Sequence, residues 1–201
     1  MTFPRQGSLR DRQRAQIRAD IRRAAFRLFV ERGYDVVTTE EIAAAAGVSP
    51  RTFFRHVTAK EELLLAPVRH GGAAIVSLLE GRPANEPPDV ALINAIVTRT
   101  RSFDQADTEE WREALLVAPG LLDKVTVHTP ADKERATKLI AERMGANPDA
   151  DIRPGLLVQL AFAAADFAFR RWVRQSGKPW PLDRYVTEAL KAVQSPHWKR
   201  G

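Results

Sequence analysis

The spacing of apolar residues predicts an all-α protein in two parts: a small three-helix module over residues 1–60 and a larger helical domain over 61–201. Three observations carry this expectation. Apolar residues recur at three- and four-residue intervals, with little of the alternation that marks strands. Capping residues and glycine or proline breaks punctuate the chain at helix-like distances. Charge divides at the same place: residues 1–60 hold 12 Lys or Arg against 6 Asp or Glu, whereas the remainder holds 19 against 19. The whole net charge of +6 therefore sits in the first module. A solvated arginine-rich surface would explain the charge by itself, but its segregation favours a basic, nucleic-acid-facing module carried by a neutral one.

The first helix is expected from Asp11 to Arg32, with Ile17, Ile21, Ala24, Ala25, Leu28 and Phe29 forming its apolar stripe. Gly33 is a suitable terminator because glycine takes a left-handed backbone at low cost. Thr38 and Glu41 have capping-box spacing and start a second, short helix with Ile42, Ala43 and Ala46 on its inner side. After the Gly47-Val48 turn, Ser49-Pro50 starts a third helix as cap and first residue, with Phe53 and Val57 pointing inward. Thr58 and Glu61 repeat the capping-box spacing before Leu63 and Leu64. A short helix, a glycine turn and a second short helix form a helix-turn-helix, and the alanines of 43–46 let the two helices cross closely. A generic small helical bundle is the alternative on periodicity alone.

Residues from about Phe26 to Leu65 resemble the DNA-binding domain of the tetracycline-repressor (TetR) family of bacterial regulators. The resemblance lies in Phe29-Val30-Glu31-Arg32-Gly33-Tyr34-Asp35, Glu40 to Ser49, Pro50 to Val57, and Lys60-Glu61-Glu62-Leu63. It spans about forty contiguous residues without a gap. Two positions depart from the common pattern. Phe54 stands where family members often have Tyr and so cannot donate a hydroxyl to phosphate, and Val57 stands where an aromatic is usual.

The resemblance implies that the Pro50–His56 helix enters the major groove of double-stranded DNA. Arg51 suits guanine through its forked donors, and Thr52 suits thymine or adenine through its methyl and hydroxyl. Arg55 and His56 suit either bases or backbone. Thr38, Thr39, Ser49, Phe54 and Lys60 fall at backbone-facing positions, although Thr38 and Ser49 are equally explained as caps. Arg5, Arg10 and Arg12 belong to an N-terminal arm that either follows the minor groove or attracts DNA only generally.

Beyond residue 60, helices are expected at 61–80, 89–103, 107–118, 130–144, 154–176 and 183–194. Pro67 is expected to kink or divide the first of these, and Gly81-Arg82-Pro83, Gly120, Thr129-Pro130, Asn147-Pro148 and 176–179 mark breaks. The last two stretches are apolar and rich in alanine. Leu157, Ala161, Ala164 and Ala168, with Tyr185, Val186, Ala189, Leu190 and Val193, suit either core or helix packing across a two-fold axis. The resemblance favours the latter, because the last two long helices of the family usually form a homodimer interface.

It also implies a small-molecule effector enclosed by the C-terminal domain, of unidentified chemistry, and repression as the usual role. The candidate lining is Trp111, Leu115, Leu122, Val125, Phe162, Asp166, Phe169 and Trp172, each also explained as ordinary core. Asp166 and Arg170 are four apart and suited to pairing.

No arrangement of nucleophile, base and acid suggests an enzyme, and no cofactor motif stands out. The four histidines lack metal-ligand spacing, and the absence of cysteine excludes thiolate chemistry. A helical small-molecule-binding protein or enzyme with an accessory basic module, or a protein-binding adaptor, remains the alternative. The arginines through Arg32 do not resemble a signal peptide, and the richest apolar run, Leu156 to Phe169, is too short to span a membrane. A cytoplasmic protein without membrane association is expected.

Overall fold

The computed structural model describes residues 9–102, 108–125, 127–175, 177 and 180–194. Every regular element among them is helical. The chain divides into two compact units: residues 1–66 with 109–123, and residues 67–108 with 124–201. The division falls after Ala66 rather than after residue 60, and the first unit also takes in a later segment that local sequence patterns did not assign to it.

In the first unit, α1 (Leu9–Arg32) buries Ile21, Ala24, Ala25, Phe26 and Phe29, while its first two turns stand in solvent. Gly33 ends it with φ +90°, and the Gly33 amide donates to the Phe29 carbonyl at 2.8 Å. α2 (Thr39–Ala45) begins with the expected capping box, in which the Glu41 amide donates to the Thr38 hydroxyl and the Thr38 amide to Glu41. Arg32 also donates to Glu41 at 2.8 Å. These hydrogen bonds, led by the Thr38 amide, lower the Glu41 carboxyl to about 2. Gly47 turns the chain at φ +68°, and Ser49 caps α3 (Pro50–His56) by accepting from the Thr52 amide. Phe53 and Ile42 are fully buried where α2 and α3 cross.

α4 (Glu62–Arg69) does not start with a second capping box. Its first turn forms through amides of Glu62, Leu63 and Leu64 donating to the carbonyls of Ala59, Lys60 and Glu61. α7 (Thr108–Leu116) and α8 (Pro119–Lys124) supply Trp111, Leu115, Leu121 and Leu122 to the same core. The Trp111 indole donates to the Leu64 carbonyl at 2.9 Å, which fixes α7 on α4. Gly120, expected as a break, instead lies within α8, one residue past the Pro119 start, in a turn that proline favours.

The second unit contains α5 (Gly71–Glu80), α6 (Pro88–Arg101), α9 (Pro130–Met144), α10 (Arg153–Val173) and α11 (Leu182–Gln194). Helix α10 packs on α11, α9 and α6. The expected 61–80 helix is two helices, divided at His70, and Pro67 is carried within α4 rather than ending it. The Gly71-Gly72 pair explains the division. The Gly72 amide donates to the Val127 carbonyl at 3.0 Å, and a Cβ on Gly72 would collide with the Asp132 carboxylate. That carboxylate is the capping partner of Thr129 at the start of α9. At the other end of α9, Arg143 donates to the carbonyls of Leu79, Arg82 and Pro83, which ties α9 to the turn that follows α5.

Among the described residues, Glu62–Glu80 has the length and mean hydropathy of a membrane span, although Arg69 and His70 interrupt its apolar run. It is 44% buried within the protein and is divided between α4 and α5.

Candidate nucleic-acid interface

Helix α3 turns Phe53 and Val57 into the core, so the side chains between them are held outward by a fixed helix. Arg51, Phe54 and Arg55 are exposed, and Thr52 and His56 are half-buried. Phe54 meets Phe53 edge-on, with ring centroids 5.3 Å apart, and leaves about half its surface in solvent. The Ser49 hydroxyl donates to the Thr52 hydroxyl oxygen at 3.0 Å, so the cap also holds the Thr52 rotamer. The Thr52 proton remains available to an outside acceptor.

His56 titrates below its ordinary value, chiefly through burial and then through the charges of Arg55, Arg18 and Arg14. The electrostatic reach of all three guanidinium groups defines a cationic cluster drawn from two helices. Arg14 and Arg18 were not among the sequence-derived candidates. Their i,i+4 spacing puts them on one face of α1, but only the packing of α1 shows that this face adjoins the end of α3.

Several expected backbone contacts have internal partners. Lys60 donates to the carbonyls of Tyr34 and Val37, each at 2.8 Å, and its ammonium lies 4.3 Å from the centre of the Tyr34 ring. This geometry makes Lys60 a tie across the α1–α2 connection rather than a phosphate ligand. Replacing it with Met should lower the unit's stability by about 2 kcal/mol, because part-buried carbonyls lose a charged donor. Urea denaturation checks this. An unchanged midpoint, with a shallower dependence of DNA affinity on salt, would restore the phosphate role.

The Thr38 hydroxyl both accepts from the Glu41 amide and donates to its carboxylate. Thr39 donates to Glu40. Arg10 and Arg12 lie within α1 rather than in an extended arm, since the helix begins at Leu9. Arg5 lies outside the described residues.

The expected effector lining is divided. Trp111, Leu115 and Leu122 belong to the core of the first unit, while Val125, Phe162, Asp166, Phe169 and Trp172 belong to the second. The second unit holds a narrow apolar cavity of about 40 Å³. Of the expected residues, only Phe169 lines it, together with Ile75, Arg99, His128, Leu182 and Val186. Asp166 accepts from Arg170 Nε at 2.9 Å, the pairing expected from their spacing.

His128 is buried, stacks on Phe162 at 4.2 Å between ring centres, and has no hydrogen-bond partner at Nε2. Burial, opposed by the Asp166 charge, lowers its pKa from 6.5 to about 4. The folded state therefore favours neutral imidazole. Its contribution to stability is complete above about pH 6.5 and is lost as pH falls towards 4, a change of ~3 kcal/mol. His128→Phe should remove that part of the acid sensitivity. Urea denaturation of both proteins at pH 7 and 4.5 measures it; equal losses in the two would count against the assignment.

The expected dimer contacts also need revision. Ala161, Ala164, Ala168, Val186 and Leu190 are buried within the protomer itself. Leu157, Tyr185 and Ala189 are half-buried and Val193 is exposed. The outward face of α10 instead carries Leu156, Leu160 and Phe167, the last 65% exposed. Because α10 is apolar around most of its circumference, periodicity did not separate its inner face from its outer one.

An exposed helix held by a buried Phe, preceded by a capped helix and a glycine turn, defines a helix-turn-helix DNA-binding regulator. Comparison with known proteins agrees. Residues 21–66 match the model for bacterial regulatory proteins of the tetR family, and residues 86–197 match the MftR C-terminal domain. The chain is 34% identical to the HTH-type transcriptional regulator TcmR of Streptomyces glaucescens over 177 residues, covering 84% of this chain and 78% of that protein. MftR of Mycobacterium tuberculosis, assigned as a transcriptional regulator of mycofactocin biosynthesis, is 26% identical over 185 residues, covering 90% and 89%. The solved structure of NalD, the secondary repressor of the MexAB-OprM multidrug efflux pump in Pseudomonas aeruginosa, shares the fold with a TM-score of 0.58 and 19% identity, covering 90% of this chain and 96% of that one. The chain belongs to the TetR family of transcriptional regulators: it is a DNA-binding, dimerising regulator and not an enzyme.

Proposed function

We propose that a homodimer of this chain represses transcription by occupying a palindromic operator, and that a small molecule bound in the second unit releases it. The observation that carries the reading is the exposed face of α3, where Arg51, Thr52 and Arg55 project from a helix anchored by Phe53. Arg51 and Thr52 read base edges in the major groove. Arg14, Arg18, Arg55 and His56 hold the flanking phosphates, joined by the face of Phe54. Arg10 and Arg12 extend the cationic surface along α1.

The partner copy packs on the outward face of α10 and the neighbouring part of α11, through Leu156, Leu160, Phe167, Tyr185, Ala189 and Val193. Support comes from the apolarity of α10 on both faces, of which the protomer covers one. A reading module ending between residues 60 and 66, followed by a responding domain, divides the labour. Action on chromosomal operators places the protein in the cytoplasm.

Repression is supported by the shared fold with a protein described as a repressor. It is tested by transcription in vitro from a promoter that overlaps the selected operator. Addition of the dimer should lower transcript yield in proportion to operator occupancy. A rise in yield would make the protein an activator and overturn the sign of the proposal.

A further inference from the structure

We propose that the cavity of the second unit takes an uncharged, largely apolar molecule carrying one hydroxyl group, and that Nε2 of His128 holds that hydroxyl. This rests on the effector reading above and supplies the chemistry of its ligand.

The lining is aliphatic or aromatic apart from Arg99, Thr100 and His128. The Thr100 hydroxyl donates to the Val97 carbonyl of its own helix. Arg99 donates to the Pro67 carbonyl and to the Ser102 hydroxyl. His128 differs: it is 93% buried, its ring is held flat against Phe162, and its Nε2 has no partner. A buried polar atom without a partner costs stability, and such atoms in native proteins call for an explanation. A single water is poorly suited to the position, because an ordered buried water needs two to four polar partners and this lining offers few.

The charge of the ligand follows from the groups that act on the imidazole. Asp166 on α10 and Asp132 on α9 favour its protonation, while burial and Lys133 on α9 oppose it, and burial dominates. The ring is neutral at pH 7, with one nitrogen donating and the other accepting. A carboxylate at Nε2 would add negative charge beside Asp166 and Asp132 and would find no cation on the ring, while the Arg99 guanidinium of the lining is engaged by the Pro67 carbonyl and the Ser102 hydroxyl. A hydroxyl pairs with Nε2 in either tautomer, because it both donates and accepts.

The free space of about 40 Å³ is smaller than the ~150 Å³ of an apolar cavity known to hold benzene. Binding must therefore part the walls. The wall outside any helix is the pair Val127 and His128. It is tethered by the Gly72 amide donating to the Val127 carbonyl, by Arg170 donating to the Val125 carbonyl at 2.9 Å, and by the Thr129 cap of α9. A ligand on His128 thus pushes on α5, α9 and α10 together.

The test uses phenol, toluene and benzoate as probes of one size. Each is titrated at pH 7 into the dimer, wild type and His128→Phe, by calorimetry. The Phe variant keeps the stack on Phe162 and removes Nε2. Phenol should lose about tenfold in affinity relative to toluene in the variant, and phenol but not toluene should shift the His128 ring nitrogen resonances of the wild type. The nitrogen resonances decide the matter even if the variant fails to fold. If toluene binds but the phenol-to-toluene ratio ignores His128, or if benzoate binds best, the proposed ligand class is overturned while the cavity remains an effector site. If none of the three binds, the proposal and the effector reading of this cavity fail together.

Discussion

Replacing Arg51 and Thr52 together with Ala is expected to lower affinity for the operator at least a hundredfold while leaving the dimer and its thermal stability intact. Both side chains point away from the core, so the fold loses nothing comparable to Phe53. A bidentate contact from arginine to guanine is worth roughly 1–3 kcal/mol against the wrong base. A dimer makes the contact twice, so roughly 2–6 kcal/mol is at stake from Arg51 alone, or about 30-fold to over 10⁴-fold. The Ser49 cap survives, since it depends on the residue 52 amide, which alanine retains. Fluorescence anisotropy with operator and scrambled duplexes measures the effect. Binding to scrambled DNA at low salt should change much less, because phosphate contacts carry it. Equal losses on both duplexes would assign Arg51 to the backbone.

Introducing charge at Leu160→Glu and Phe167→Glu should convert the dimer to monomer and reduce operator affinity at least a hundredfold. Both residues are exposed in the protomer, 44% and 65%, so a single chain can solvate the new carboxylates and stay folded. In the dimer the same carboxylates would be desolvated against their two-fold copies. Loss of the second reading head removes the gain from linked binding, which reaches 10²–10⁴-fold. Sedimentation velocity with anisotropy on the same samples checks it. A variant that remains dimeric would place the interface elsewhere.

The reading module was largely legible in the sequence because its signals are local. Thr38 with Glu41, Gly47, and Ser49 with Pro50 each act within four residues, and each forms the cap or turn that its chemistry dictates. The internal tie made by Lys60 was not legible, because its partners, the carbonyls of Tyr34 and Val37, lie more than twenty residues away. The same limit hid Arg14 and Arg18, whose importance depends on how α1 packs beside α3.

The second unit was legible as helices but not as a site. Leucine, alanine and phenylalanine read alike from sequence whether they face a cavity, a neighbouring helix or a partner copy. Val186 and Phe169 line the cavity, Ala164 and Leu190 fill the protomer, and Phe167 faces outward, although all occupy similar apolar stripes. His128 carried no local signal, because a histidine before a Thr-Pro helix start is unremarkable until its burial is known. The need for glycine at Gly72 has no local signal either, since the Asp132 carboxylate that excludes a Cβ there approaches from another helix.

Whether paired α3 helices read a two-fold DNA sequence is decided by selection from a pool of random duplexes at physiological salt, with the stoichiometry of the bound complex measured alongside. Selection should return a palindromic consensus bound by an even number of chains, and Arg51→Ala with Thr52→Ala should abolish that consensus. Binding that enriches no sequence and disappears as salt rises would contradict it, leaving only a basic surface that attracts DNA without reading it.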